Sequence, residues 1–288
     1  MFRMFNTLKR MLKHPIQSAK LICDYLYNDY LSLSGKVKYK HNILFIAGLP
    51  KSGTTWLSTE LAKLPGYNIR IIKDRNNKTY NHDVGEDIFS LLPRNRYTVM
   101  KLHTRYSIEN IKIVYKYVEK FIVICRDLRD MCVSRYYHCK NDDSHRHFEL
   151  YNKLSIDEGI KHCIEVVSTE YVSWVRDWYN YANNRDEILL IKYEELNKNP
   201  RGTFENVLTF FEIYNNDFIN NASSSKLTGE KNLHKELKNN LGLKNKSTAR
   251  SGKVGEWKEV FSQDNIKLFK EVAGDVLILT GYEKDYDW

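Results

Sequence analysis

With 288 residues, 42% of them apolar and 28% charged, the chain has the make-up of a folded protein that buries about three quarters of its unfolded surface. A formal charge of +9 calls for an anionic partner, whether nucleotide, sulfated or phosphorylated substrate, acidic membrane face or nucleic acid. Five cysteines without a Cys-x-x-Cys pair argue against a disulfide framework; no signal-peptide core and no apolar run of about 18 residues is present, so a cytoplasmic protein is expected.

Residues 1–13 set Met1, Met4, Phe5, Leu8, Met11 and Leu12 along one helical face. Arg3, Lys9, Arg10 and Lys13 lie mostly away from it, and Pro15 marks the stop. Such a helix either lies on an acidic membrane surface or docks on the body of the protein. The Tyr-rich segment 16–34 reads as a second helix, so 1–40 forms an N-terminal helical segment ahead of a single domain, 41–288.

The apolar run 43–47 is short and β-branched enough to be a buried strand. It stops at Gly48, and Pro50, Ser52 and Gly53 favour a tight turn. Leu57, Leu61 and Leu64 then recur at helical spacing. Strand, tight loop and helix start together collect backbone N–H groups around an anion. Lys51 adds a cation, and Ser52, Thr54 and Thr55 add hydroxyls, so the stretch reads as a phosphate or sulfate cradle. It is not a Walker A loop: Gly48 and Gly53 are correctly spaced, but Thr54 stands where the lysine belongs.

Segment 67–96 reads as loop with short helices. In the second strand, 97–103, alternation puts Val99, Lys101 and His103 on one side and Thr98, Met100 and Leu102 on the other. Ser107 caps a helix over 108–118. The third strand, 121–125, delivers Arg126 at its carboxyl end, and a helix over 128–137 follows. Residues 140–155 read as a charged loop whose His145 and His147 stand at no familiar metal-ligand spacing. Cys132 and Cys139 read as buried thiols. A long helix over 156–180 carries Ile160, Ile164, Val167, Tyr171, Trp174 and Trp178 as its core stripe. The fourth strand is 188–191, with helices over 201–214 and 264–280. Between them, 215–249 lacks periodicity and suits a surface excursion or lid, and 252–257 is a second Gly-punctuated turn. Apolar strands alternating with helices predict an α/β fold with a central parallel sheet flanked by helices on both faces.

Ligands of such sheets bind beyond the carboxyl ends of the strands. Three ends carry candidates: the cradle, Lys101 with His103, and Arg126. An arginine fork with Ser134 on the following helix suits a second phosphate. Taken singly, Arg126 also suits a surface ion pair with Asp130, and His103 a satisfied strand-end histidine.

Residues 50–56 (Pro-Lys-Ser-Gly-Thr-Thr-Trp) resemble the 5′-phosphosulfate loop of the cytosolic-type sulfotransferases, whose sulfuryl donor is 3′-phosphoadenosine 5′-phosphosulfate (PAPS). Residues 125–138 resemble the family's 3′-phosphate strand and helix, and Lys101-Leu102-His103 its Lys-x-His triplet. Tyr193-Glu194-Glu195-Leu196 and residues 250–258 are similar to two later blocks, and Gly281-Tyr282-Glu283 looks like the family's C-terminal end. The blocks keep the family's order.

The resemblance implies sulfuryl transfer to a hydroxyl or amine with no metal. His103 is then the general base, with Lys51 and Lys101 beside the transferring group. Lys51, Ser52, Gly53, Thr54 and Thr55 hold the phosphosulfate, and Trp56 stacks on adenine. Arg126, Ser134 and Arg250 hold the 3′-phosphate, Gly252 admits it to the backbone, and Tyr193 and Ser251 complete the donor site. Ser251 replaces the family's lysine, implying a weaker clamp or one that borrows Lys253. The family's adenine-side Phe is replaced within 223–229, and Leu128 stands where many relatives have Pro. The acceptor implied is a small molecule, a glycan or a lipid-linked compound, with no nucleic acid, and residues 1–13 suggest peripheral contact at the inner membrane surface. Two other classes compete: a divergent P-loop nucleotide kinase or NTPase needing magnesium, and a non-catalytic basic protein that binds anions or membranes.

Overall fold

The computed structural model describes residues 15–71, 82–215 and 251–288. Five strands, β1 (Ile43–Gly48), β2 (Tyr67–Ile69), β3 (Tyr97–Leu102), β4 (Phe121–Cys125) and β5 (Ile188–Lys192), form one parallel sheet in the order β2-β3-β1-β4-β5. Central β1 pairs Ala47 with Leu102 and Gly48 with Ile124, so three neighbouring strands end level with one another. That level edge brings the cradle, His103 and Arg126 together.

The helices in chain order are α1 (Pro15–Ser34), α2 (Thr54–Leu61), α3 (Glu86–Ser90), α4 (Ile108–Tyr117), α5 (Leu128–Asn141), α6 (Phe148–Lys153), α7 (Ile156–Val166), α8 (Val172–Ala182), α9 (Tyr193–Lys198), α10 (Pro200–Phe210), α11 (Trp257–Val260) and α12 (Gln263–Leu279). Alternation along β1 sends Phe45 and Ala47 into a core with α5, α7, α8 and α12, and Leu44 and Ile46 into a second core with α2, α9 and α10. Both faces are therefore covered, as expected for apolar parallel strands. Among the described residues, no helix is long and apolar enough to cross a membrane.

Three elements differ from expectation. β2 falls inside the segment read as loop; at three residues it is too short to show a period, and its pairing with β3 creates it. The charged loop 140–155 is shorter than expected, because α5 runs on to Asn141 and α6 forms to bury Tyr151. The long helix is broken by a π-helical turn, Val167–Tyr171, between α7 and α8. All six residues of its core stripe are nevertheless buried. The helix expected over 1–13 and residues 216–249 lie outside the described residues.

α1 covers the β2 edge through polar contacts. Asn28 Nδ2 donates to the Tyr67 carbonyl at 3.0 Å, Asn28 Oδ1 accepts from Gly66 N at 3.0 Å, and Ser32 Oγ donates to the Gly66 carbonyl at 2.6 Å. A sheet edge covered in this way cannot recruit a foreign strand.

The start of α5 anchors the C-terminal segment. Arg129 is buried, pairs with Asp127 at 2.7 Å and with Glu283, and lies between the Trp257 ring at 3.9 Å and the Trp288 ring at 4.4 Å. Asp130 accepts from Gly255 N at 2.7 Å and Trp257 N at 3.1 Å, which fixes the second glycine turn below Arg126. Removing Arg129 leaves Asp127 buried without its partner, so Arg129→Met should cost about 3–5 kcal/mol in urea unfolding. Breaking the exposed Lys116–Glu86 pair should cost far less, and equal losses would contradict this account.

Candidate active site

The loop after β1 is shaped by close approach. A Cβ on Gly48 would lie 1.9 Å from Thr54 Cγ2, and one on Gly53 would lie 2.7 Å from the Tyr193 ring. Gly53 (φ 82°) and, against its preference, Lys51 (φ 67°) are left-handed, which turns the chain into α2 within a few residues. No side chain caps α2, so its first N–H groups face the loop as a positive helix end. The loop is tied to β4 by Leu49 N donating to the Ile124 carbonyl at 3.0 Å.

Lys51, Gly53, Thr54, Thr55, Lys101, His103, Arg126, Ser134, Tyr193, Ser251 and Gly252 all line one cavity of about 500 Å³. That size lies in the range of small-molecule sites. Two expected residues do not line it. Ser52 is fully buried and donates its hydroxyl to the Leu49 carbonyl at 2.6 Å and to the Ile124 carbonyl at 3.2 Å, so it fastens the loop from beneath. Trp56, 1% exposed, packs into the α2-side core, and its indole N–H finds no acceptor. The ring expected beside adenine thus packs in the core behind the loop, because the third position of α2 turns toward the sheet. Arg250 and residues 223–229 lie outside the described residues.

His103 Nδ1 lies 2.6 Å from the Gly48 carbonyl oxygen. A carbonyl only accepts, so Nδ1 carries the proton and Nε2 keeps its lone pair. Burial holds the imidazole below its ordinary pKa; the Lys101, His82 and Lys51 charges add to this, and the Gly48 bond works against it. His103 is thus a neutral base near pH 7. Lys101, on the same side of β3, is pushed down to about 8 by burial and donates to Thr55 Oγ1.

The Arg126 guanidinium lies 4.4 Å from the Tyr193 ring and donates to the carbonyls of Lys253 at 2.9 Å and Lys51 at 3.3 Å. Asp130 stands 3.7 Å away, so the ion pair read as an alternative for Arg126 coexists with a place on the cavity wall. The Arg126 Nε is buried without a partner. Asn197 Nδ2 donates to the Gly252 carbonyl at 2.6 Å, holding that left-handed glycine (φ 65°) at the cavity. Ser251 Oγ donates to Glu256 at 2.9 Å. Lys253 turns to Glu259 and does not line the cavity, so it does not fill the place left by Ser251.

Sequence reasoning did not single out Arg135 and His138, which also line the cavity, nor His145 as a wall residue. Their signal is their spacing: Arg135 adjoins Ser134, and His138 follows one turn later on α5. Burial, with the Lys51 and His145 charges, pushes His138 down to about 4. Among the described residues, no group of three or more His, Cys, Asp or Glu side chains is arranged to hold a metal ion. The site therefore offers a helix end and cations for anions, with a neutral base beside them.

Residues 42–281 match the sulfotransferase domain family. The chain is 22% identical to flavonol 4′-sulfotransferase of Flaveria chlorifolia, the match covering 96% of both chains. It is 20% identical to cytosolic sulfotransferase 3 of Arabidopsis thaliana over 81% of this chain and 77% of that one. The fold is similar to mouse sulfotransferase SULT7A1 complexed with PAP, with a TM-score of 0.60 and 20% identity over 89% of this chain and 94% of that one. Retinol dehydratase in complex with retinol and PAP is likewise similar, with a TM-score of 0.57 and 16% identity over 86% of this chain and 84% of that one. With the domain match spanning most of its length, this chain belongs to the family of PAPS-dependent sulfotransferases.

Proposed function

We propose that this protein moves the sulfuryl group of PAPS onto a hydroxyl or amine of a small-molecule acceptor at the cavity beyond β1, β3 and β4. The observation that carries the reading is the His103 tautomer: Nδ1–H on the Gly48 carbonyl leaves Nε2 as a base one residue beyond the β3 end. The donor site is tested by chemistry the chain already displays. An uncapped helix end, a buried Arg126 Nε without a partner and two left-handed glycines at the wall suit an anion with two phosphate-type ends.

In this reading Lys51, Thr54, Thr55 and the N–H groups opening α2 receive the 5′-phosphosulfate. Arg126, Ser134, Ser251 and the Gly252 backbone receive the 3′-phosphate, joined by Arg250 from its place in the motif, while Tyr193 supports Arg126. PAPS supplies a sulfuryl group already activated by its phosphate. His103 Nε2 takes the acceptor's proton as the new S–O (or S–N) bond forms. Lys101 faces the charge on the sulfuryl oxygens, and Lys51 meets the charge that grows on the phosphate oxygen as its bond to sulfur breaks. Sulfuryl oxygens carry less charge than those of a terminal phosphoryl, so the cations of the wall serve without a divalent ion. The NTPase reading lacks its central group, since Thr54 occupies the Walker lysine position.

His103→Ala should lower turnover by about 10²–10⁴-fold while calorimetry with adenosine 3′,5′-bisphosphate stays unchanged; normal turnover would remove His103 from the mechanism. The pH profile of kcat/KM should be a bell. Its acid limb lies below the ordinary imidazole value of about 6.5, because His103 must be neutral and its pKa is lowered. Its alkaline limb lies near 8, where Lys101 loses its proton. Lys101→Arg should carry the alkaline limb upward, and an unmoved limb would show that another group titrates there. Chelator should leave turnover intact; activity lost to chelator and restored by magnesium would overturn the metal-free step.

A further inference from the structure

Arg135 is a cation to which the sulfuryl-transfer reading gives no task. It lines the cavity, its Nε is buried, and no described side chain or carbonyl pairs with it. Met131, Ser134, Arg135 and His138 recur at i, i+3, i+4 and i+7, so one face of α5 presents all four to the cavity, Arg135 beside Ser134 and about 100° round the helix from it. His138, three residues on, shares its face, and the His138 and His145 rings lie 5.4 Å apart.

The surroundings leave this charge uncompensated. Tyr151, Tyr171, Cys139 and Cys163 face Arg135, and burial raises the pKa of each, so all four stay protonated and neutral near pH 7. Three carboxylates lie around this part of the site: Asp142, which acts on His145 and accepts from Ser144 Oγ at 2.6 Å, Glu170, which acts on His147 from the π-helical turn, and Glu256, on the cavity wall, which accepts from Ser251 Oγ at 2.9 Å. Among the described residues none of the three forms an ion pair with Arg135. A partly buried guanidinium without a counter-charge is costly unless a ligand supplies one. The π-helical turn Val167–Tyr171 packs against α5 near this group, and such turns are frequent at functional sites. Among the described residues that line the cavity, Pro50 and Met131 are the aliphatic ones and the other side chains of the wall are polar, charged or aromatic, which suits an acceptor with a polar group.

Building on the sulfuryl-transfer reading, we propose that Arg135, flanked by His138 and His145, selects an acceptor that carries an acidic oxyanion group, a carboxylate or a sulfate ester, close to the hydroxyl being sulfated. The guanidinium takes the oxyanion as a fork, and the neutral His138 imidazole adds a hydrogen bond without charge repulsion, while His145, whose Nδ1 accepts from His147 N at 3.2 Å and whose Nε2 meets Cys139 Sγ at 3.7 Å, shapes the wall beside it. The substrate is held by its acid at Arg135 while its hydroxyl meets His103.

The test uses the full chain with labelled PAPS and matched phenols, sugars and alkyl alcohols, each as free acid, as sulfate ester and as neutral methyl ester or unsubstituted alcohol. Expected is a kcat/KM at least about tenfold higher for the anionic members, the free-acid and sulfate arms telling which oxyanion is preferred. Arg135→Gln should abolish that preference mainly through KM, Arg135→Lys should restore part of it, and affinity for adenosine 3′,5′-bisphosphate should not change. The lysine variant also serves as the probe if the glutamine variant fails to fold. Equal or better turnover of neutral members, a preference that survives Arg135→Gln, or no turnover of any member by a protein that still binds the bisphosphate would each overturn the proposal. Failure to bind the bisphosphate at all would instead overturn the sulfuryl-transfer reading beneath it.

Discussion

The bond between His103 Nδ1 and the Gly48 carbonyl ties the imidazole after β3 to the glycine loop after β1. Gly48 ends the strand that leads into that loop, and His103 follows the strand beside it. One hydrogen bond sets the imidazole's tautomer and fixes its distance from the loop. It works only because the parallel register brings β1 and β3 to the same level, Ala47 opposite Leu102. A slip of one residue would send the Lys101 side of β3 to the other face of the sheet. The two apolar cores that resist such a slip are therefore also what hold the His103 imidazole in place.

The same edge explains the mixture of buried charge and apolar packing behind it. Arg126, Arg129 and Asp130 lie within five residues at the end of β4, and all are buried. Asp130 and Asp127 compensate the arginines while binding the backbone of the turn at Gly255 and the start of α5. Buried ion pairs give little net stability compared with apolar packing, but they permit only one arrangement of the segments they join. Here that arrangement sets Ser251, Gly252 and Glu256 on the cavity wall.

Most of the architecture was legible because β1, β3, β4 and β5 are five or six residues long and almost wholly apolar. β2 was not, since three residues carry no period and the strand exists by pairing. The π-helical turn was invisible because the stripe from Ile160 to Trp178 keeps ordinary helical spacing across it. Residue type at the loop was legible, but the direction of each side chain was not. Ser52 and Trp56 sit amid cavity-lining neighbours and turn inward, an outcome set by packing against β4 and the sheet rather than by local sequence. Arg135 was passed over because an arginine in mid-helix reads as a solvent-facing residue until the helices around it are in place.

Lys51 holds a backbone conformation that a side-chain-bearing residue adopts at a cost of about 1–2 kcal/mol. Glycine or asparagine at that position would relieve the cost and remove the ammonium that lines the cavity, the group proposed above to meet the leaving phosphate. A library sorted only for heat resistance would therefore drift toward those residues, and its sturdiest members would be its least active.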